Sequence, residues 1–353
     1  MKSLTEIAWN IPESIYRADP ALSYSTLAKF DRGGFQSLPT LFDKISSPSL
    51  TYGSIVDALI TGTLEEFNNN FQIVYLPDIS DSLKQIALLL HSRFARQYKT
   101  LKDIPNDALA QAGLECNYYA NSKYETYRIK LIKENCNEYY NMLQLGNGKQ
   151  LITREEFESA QKAVEALKTS EATKFYFNPP SPFETHLEKL YQLKFKGRDE
   201  QTGIDYRIMA DLIVVDHKNK TIQPVDLKTS SHFEYEFHKS FVDWNYHEQA
   251  RLYYRIIKQN CEKDEYFKNF EILDYKFIVV NKKTLQPCVW TFKKTKEVGL
   301  ITIKNKYTNK SYNFRDPYDL GKELTYYLNN QDVKLPYDIK LDNDIIEYLE
   351  NEL

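Results

Sequence analysis

The chain has 353 residues, with 46 Lys and Arg against 49 Asp and Glu, which gives a formal net charge of −3. Hydrophobic residues make up 42% of the chain and charged residues 27%, which is globular usage and excludes a wholly disordered or fibrous protein. No apolar run approaches the roughly 20 residues that a membrane helix needs, and the N-terminus lacks a signal-peptide pattern. We therefore expect a cytoplasmic protein without a membrane partner, and the balanced charge does not by itself favour nucleic acid.

The pattern of apolar residues divides the chain into three parts. Residues 1–150 are predicted to be mainly helical, with one long helix over 106–146. Residues 151–310 begin with a helix opened by the capping box of Thr153 and Glu156. Short β-rich runs then follow at 184–198, 204–215, 221–227, 275–280 and 288–292. The sequence therefore predicts an α/β or α+β core, a central sheet flanked by helices, before a C-terminal helix and tail over 311–353.

The cysteines are widely spaced. Cys116, Cys136, Cys261 and Cys288 form no C-x-x-C pair. This spacing predicts reduced thiols and neither a zinc site nor an iron–sulfur cluster.

Charged residues interrupt two adjacent apolar strands. Asp211 lies within Met209–Val215, and Asp226 and Lys228 lie two residues apart on the next strand. Residues i and i+2 of a strand face the same side, so this strand presents a carboxylate together with an ammonium. If the strands pair through the turn at 216–221, Asp211 comes close to Asp226. Clustered carboxylates are hard oxygen ligands that suit Mg²⁺ or Mn²⁺, and Lys228 could stabilise charge on a phosphate. Alone, such a pair is more often a solvated surface pair.

Four further positions extend this group. Gln249 and Tyr253 are i and i+4 on a helix predicted over 244–260, so they share a face that could support the site or pack in the core. Glu184 and Glu188 lie on the preceding strand with the same parity as each other. Either glutamate could supply another ligand, and an exposed strand charge is the alternative.

These residues together resemble the PD-(D/E)xK nuclease superfamily. Within it, they are most similar to the RecB-like and phage-type recombination exonucleases of the lambda exonuclease and exonuclease VIII group. The resemblance extends to Leu22–Phe30, which is similar to the N-terminal serine motif, and to Gly53–Leu59, which is similar to the Gly-x-x-x-His helix. It covers about residues 22–292 and implies a restriction-endonuclease-like core, with the helical N-terminal part contributing to the site and to a DNA channel.

The resemblance also implies roles for individual residues. Asp211 and Asp226 would bind the metal, Leu227 would offer its backbone carbonyl, and Lys228 would be the catalytic lysine. Glu188 would be the first acidic residue, with Glu184 as the alternative register, and Gln249 and Tyr253 would form the supporting motif. Asp57 stands where the family often has a metal-contacting histidine, so it would either bind the metal or only form a helix-surface hydrogen bond.

Lysines clustered in two stretches are candidates for phosphate contacts. Together with Ser25 of the serine motif, the predicted DNA-binding residues are Lys194, Lys196, Lys282, Lys283, Lys293 and Lys294. A solvated charge run is the ordinary alternative.

The implied activity is a Mg²⁺-dependent exonuclease that resects linear duplex ends for DNA recombination or repair, often in a phage-infected cell. The resemblance also implies a homo-oligomer and a single-strand annealing partner. Two other functions stay open: an endonuclease or structure-specific nuclease on the same core, and a non-catalytic DNA-binding or assembly protein that retains the fold.

Overall fold

The structure, a computed structural model, describes residues 1–43, 48–75, 77, 79–146, 148–304 and 309–330, so the part of the predicted tail beyond residue 330 lies outside it. Its helices are α1 (Glu13–Ala18), α2 (Tyr24–Gly33), α3 (Pro48–Thr61), α4 (Leu64–Asn70), α5 (Asp81–Phe94), α6 (Asn106–Glu115), α7 (Glu125–Asn135), α8 (Asn137–Leu145), α9 (Arg154–Thr169), α10 (Lys174–Phe177), α11 (Phe237–Asp243), α12 (Tyr246–Glu262) and α13 (Pro317–Asn329). Its strands are β1 (Phe71–Ile73), β2 (Gln150–Ile152), β3 (Leu187–Arg198), β4 (Asp205–Asp216), β5 (Thr221–Ser230), β6 (Glu271–Ile272), β7 (Tyr275–Asn281), β8 (Cys288–Phe292), β9 (Ile301–Lys304) and β10 (Ser311–Phe314).

A mixed sheet forms the centre of the molecule, with strand order β3-β4-β5-β7-β8 and the short β6 beside β5. Strand β4 runs antiparallel to both of its neighbours, β3 and β5. Strands β5 and β7 are parallel, and β7 and β8 are antiparallel. The parallel pair requires a crossover, which α11 and α12 supply. The five predicted strands and the predicted helix over 244–260 are confirmed, with small changes at their ends.

Helices cover both faces of this sheet. One face packs on α2, α12 and α13 through residues such as Leu27, Ile256 and Leu320, all fully buried. The other packs on α3 and α9 through Ile55 and Ala163. The chain is therefore a mixed α/β protein with a central sheet between helical layers, as the apolar pattern predicted.

Helices α5 to α8 pack around a separate apolar core, which includes Ile86, Leu109 and Tyr140. The prediction of one helix over 106–146 is wrong, because this stretch forms α6, α7 and α8. The break after α6 coincides with Asn117 and Tyr119, which have φ of 52° and 44°. Such left-handed conformations end a right-handed helix. In the part of the chain that the structure describes, no helix is long and apolar enough to cross a membrane.

Strands β3 and β4 both change phase at one point. Gln192 lies opposite Asp211, between the pairs Tyr191–Leu212 and Leu193–Ala210. Leu193 and Ala210 pack on the α12 side of the sheet, whereas Tyr191 and Leu212 pack on the α3 side. Regular alternation would put residues two apart on one face. Gln192 has φ of 53°, so a left-handed residue marks the point where both strands exchange faces.

The N-terminal segment runs along the outer strand β3. The Trp9 N–H donates to the Lys194 carbonyl at 2.8 Å, and Glu188 accepts hydrogen bonds from the Ser3 hydroxyl and from the Leu4 N–H. These contacts use backbone and side-chain groups that the outer strand would otherwise present to solvent.

A buried ion network ties the C-terminal part to α12. Arg251 has no exposed surface and lies 2.8 Å from Asp316, which also receives both terminal nitrogens of Arg255. The guanidinium of Arg251 also donates to the carbonyls of Glu297, Gly299 and Arg315. A buried charge needs such complete pairing, so this network fixes the segment before α13 against α12.

Candidate active site

Neighbouring strands bring the two predicted aspartates together. Asp211 lies at the phase change of β4, and Asp226 lies on β5 next to it in the sheet. The Leu227 N–H donates to Asp211 Oδ2 at 3.0 Å, so the backbone of β5 holds this carboxylate beside Asp226. Asp211 and Asp226 therefore lie close together, as the predicted strand pairing requires.

Asp226 is almost fully buried and faces two of the other predicted residues. Gln249 Nε2 of α12 donates to Asp226 Oδ1 at 2.5 Å, and Lys228 Nζ lies 2.6 Å from Asp226 Oδ2. Gln249 is itself buried. The buried amide and the partly exposed ammonium, one on each oxygen, fix the direction of this carboxylate.

The Tyr246 ring also lies against Lys228. The Lys228 ammonium is 4.6 Å from the centre of the Tyr246 ring, a cation–π distance. Burial opposes the charge on Lys228, but Asp226, Tyr246 and Asp211 together outweigh it, so the pKa of Lys228 lies above its usual value. Lys228 is thus a fully protonated, oriented cation.

Asp57 of α3 approaches the same carboxylates from the opposite helical layer. Gln192 Nε2 lies 3.0 and 2.8 Å from its two oxygens. Gly53, one turn earlier, allows this approach, because a Cβ there would lie 3.2 Å from Thr229 Oγ1 of β5. Asp57, at the position where the resemblance implies a histidine, therefore belongs to the cluster.

Burial and the neighbouring carboxylates raise the pKa of Asp57 and of Asp211. Burial, followed by repulsion from Asp226, raises the pKa of Asp57 to about 6. Burial, then Asp226 and then Asp57 raise the pKa of Asp211 well above its usual value. Three acidic groups face a single lysine, so the cluster carries more negative charge than its own cation offsets.

Two properties of the cluster bear on cation binding: the chemistry of its donor atoms and the space beside them. Asp57 and Asp211 line one small cavity of about 10 Å³, roughly the volume that holds a single water molecule. Carboxylate oxygens are the donors that Mg²⁺ prefers. Within the described ranges, no group of three His, Cys, Asp or Glu side chains is already gathered as a ligand set. The two oxygens of Asp226 instead face Gln249 and Lys228. The carboxylate oxygens of Asp57 and Asp211 fit a small divalent cation, with Asp226 beside them, whereas the other walls of the cavity are mainly apolar and include Ile60, Phe177 and Leu212.

Glu188 is not part of this cluster. It pairs with Val215, four residues along β4 from Asp211, which corresponds to roughly 13 Å. Its carboxylate binds Ser3 and Leu4 and lies 3.6 Å from His217. Glu184 lies before β3 and accepts from the Ser181 N–H at 2.9 Å. Equal parity did not bring either glutamate to the site, because both lie too far along the strand.

Tyr253 lies in the core beneath the site. It is buried and meets the Tyr275 ring edge-on, with 5.9 Å between the ring centres. Burial raises the pKa of Tyr253 well above its usual value, and Asp226 and Asp211 add to this increase. Of the predicted helix motif, Gln249 contacts a site carboxylate directly, whereas Tyr253 packs behind it.

The predicted DNA-contacting lysines lie in different places. Lys282 and Lys283 are exposed just after β7, at the sheet edge where β5 also ends. Lys293 and Lys294 follow β8 at the opposite edge, and Lys294 pairs with Glu297 at 2.8 Å.

The remaining predicted contacts are on or near β3. Lys196 forms an ion pair with Asp19 at 2.9 Å, and Lys194 is half-buried on the same strand. Ser25 is exposed on α2, with its hydroxyl 3.0 Å from that of Ser23. Of the predicted lysines, Lys282 and Lys283 are exposed at the edge that carries Lys228, and the Lys282 ammonium lies 5.7 Å from the centre of the Tyr52 ring.

Two residues of the cluster were missed by the sequence analysis, Gln192 and Tyr246. Counting the hairpin register back from the turn at Gly203 would have placed Gln192 opposite Asp211. The contact of Tyr246 with Lys228 depends on how α12 crosses β5, which no local pattern encodes.

The chain was also compared with known proteins. No protein-family model matches the sequence, and no curated protein matches it significantly.

Proposed function

We propose that this protein is a Mg²⁺-dependent deoxyribonuclease built on a restriction-endonuclease-like core. The observation that carries the proposal is the convergence of Asp57, Asp211 and Asp226 with Lys228 at one point of the sheet. A structural salt bridge needs one carboxylate for one lysine. Three mutually repelling carboxylates beside one lysine suit a site that takes up a cation.

The residues divide the chemistry of phosphodiester hydrolysis among them. Asp57 and Asp211 supply oxygen ligands, and Mg²⁺ or Mn²⁺, when bound, would polarise the phosphate and lower the pKa of a water. Lys228 stabilises charge that develops on the phosphate oxygens or orients the water. Gln249 holds Asp226, Gln192 holds Asp57, and Tyr246 limits the positions that the Lys228 ammonium can take.

An exonuclease that resects linear duplex ends is the preferred form of this activity. The support is the resemblance of the sequence motifs to recombination exonucleases, now joined by the contact between Gln249 and Asp226. A homo-oligomer and a single-strand annealing partner belong to the same proposal by analogy with that group.

Metal-dependent cleavage is the direct test. Linear duplex DNA should be degraded with Mg²⁺ or Mn²⁺ and left intact with EDTA. Asp226→Ala and Lys228→Ala should each lower the rate by at least about a hundred-fold while the circular dichroism spectrum stays that of the wild type. Lys258→Ala, which removes an exposed ion pair with Glu262 near the end of α12, is the matched control and should retain the wild-type rate.

Substrate form separates the remaining alternatives. Degradation of linear DNA with no attack on closed circular DNA supports the exonuclease, whereas cleavage of the circle supports an endonuclease on the same core. Metal-independent binding of DNA without any cleavage would show a non-catalytic binding protein and would end the proposal.

A further inference from the structure

Two large aromatic side chains stand in solvent just after β5. Phe233 and Tyr235 are 49% and 70% exposed. Their rings are stacked nearly parallel, with 5.4 Å between the ring centres and 5° between the planes. Single exposed aromatic side chains are common on protein surfaces, but two rings held in one stack form a contiguous aromatic surface, which is the kind of patch that marks an interaction site.

The residue between them is anchored in the opposite direction. Glu234 is buried, and its Oε1 accepts from the N–H groups of Asn281 and Gln286 and from the Thr284 hydroxyl. Its carbonyl accepts from Trp290 Nε1 at 3.0 Å. These bonds fix the backbone on both sides of Glu234. The two rings are therefore held outward by a rigid loop, so ordering them on a ligand costs little conformational entropy.

This loop lies close in sequence to the candidate site and is hydrogen-bonded to the segment that carries the exposed Lys282 and Lys283. Phe233 follows Lys228 by five residues, a span of at most about 17 Å, which is roughly the length of five stacked nucleotides. The partners of Glu234 belong to the segment after β7, which carries the exposed Lys282 and Lys283. These hydrogen bonds join the segment that carries Lys282 and Lys283 to the loop that carries the two exposed rings, and the Lys282 ammonium also lies 5.7 Å from the centre of the Tyr52 ring.

We propose that Phe233 and Tyr235 form a stacking platform for an unpaired nucleobase of DNA next to the cleavage centre, with Lys282 and Lys283 contacting the adjoining phosphates. The inference rests on the proposed nuclease function and specifies how that site holds its substrate. Aromatic faces accept any base, and lysines accept any phosphate, so the platform binds single-stranded DNA without reading its sequence.

A binding measurement in EDTA tests the platform without cleavage. The probe is a short single-stranded oligonucleotide containing 2-aminopurine, whose fluorescence is quenched when the base stacks on an aromatic ring. The wild type should bind and quench it. Phe233→Ala combined with Tyr235→Ala should lose the quenching and weaken binding by about five- to hundred-fold. Phe183→Ala and Tyr75→Ala, which remove the same side chains from positions 93% and 84% exposed elsewhere, are the matched controls.

The outcomes distinguish this inference from the function on which it rests. Quenching and affinity that are equal in the platform variant and the controls would overturn the platform, whatever the cleavage assay gives. Failure of the wild type to bind the oligonucleotide would overturn it as well. Wild-type binding with loss in the platform variant, but without metal-dependent cleavage of any DNA form, would uphold the platform and end the nuclease proposal.

Discussion

The amide nitrogen of Gln192 lies within 3.0 Å of both carboxylate oxygens of Asp57, so one side chain of β3 fixes the only carboxylate that α3 gives to the described cluster. Gln192 reaches this position with φ of 53°, a conformation that costs a non-glycine residue of order 1–3 kcal/mol. Backbone strain of this kind persists where the surrounding structure requires it. The strained backbone of Gln192 is therefore part of what positions Asp57 in the cluster.

The variant Gln192→Gly removes the amide and relieves the left-handed conformation at the same time. We expect the fold to be retained, while the Mg²⁺ concentration for half-maximal cleavage rises or the rate falls by about ten- to hundred-fold, because Asp57 loses its orienting partner. A Mg²⁺ titration of the cleavage rate measures this. An unchanged titration curve would remove Gln192 from the site.

Asp57 and Glu188 are the two candidates for the third carboxylate of the site, and one substitution at each position distinguishes between them. Asp57→Asn should lower the cleavage rate at least about ten-fold, because it removes a charge that faces Asp211 and Asp226. Glu188→Gln should leave the rate within about two-fold and cost about 1 kcal/mol of stability through its bonds to Ser3 and Leu4. The reverse pattern would restore the first interpretation of the sequence.

Glu248 predicts a dependence of stability on pH. Burial, followed by the neighbouring Asp31, raises the pKa of this carboxyl group well above its usual value, against the smaller opposing effect of Arg32 and Arg315. The folded state therefore holds a proton that the unfolded chain releases near pH 4.3. Its contribution to stability is complete below that pH and is lost as the pH rises toward the folded-state pKa.

The variant Glu248→Gln cannot release that proton. The difference in free energy of unfolding between Glu248→Gln and the wild type should grow in favour of the variant by up to about 1.4 kcal/mol per pH unit above pH 4.3. Urea unfolding at a series of pH values measures it. Glu262→Gln, on the exposed side of the same helix, serves as control and should show no such slope.

Asp316 holds the buried arginine network, and its removal should be costly. Asp316→Ala leaves the fully buried Arg251 without its counterion, so the free energy of unfolding should fall by about 3–5 kcal/mol. Glu271→Ala breaks the exposed pair with Lys296 and should cost at most about 1 kcal/mol. Similar losses in the two variants would show that the network adds little beyond a surface pair.

The sequence predicted most of the central sheet and part of the site. Apolar runs and turn residues were enough for β3, β4, β5, β7 and β8, because strand position depends on local pattern. The contact of Gln249 with Asp226 followed from their motif, since α12 is the crossover from the strand that carries Asp226.

The rest of the site depended on tertiary geometry. Glu184 and Glu188, near the start of β3, were predicted because they would share one face of a strand that alternates without interruption. The reversal at Gln192 and the long-range register with β4 place a glutamine there instead. Similarly, Tyr118 and its neighbours continue a helical pattern after α6, but left-handed residues at 117 and 119 end the helix. Pattern alone cannot foresee either backbone reversal.

The N-terminal segment also covers part of the outer edge of β3. Strand β3 is 12 residues long and lies at the border of the sheet, where Trp9, Leu4 and Ser3 occupy its outer side. A chain shortened beyond Trp9 would expose free backbone donors and acceptors on a long strand, and such edges pair with one another between molecules. Shortened chains would therefore be lost to aggregation before any defect in their chemistry could be measured, so a tag or a fusion partner belongs at the other end of the chain.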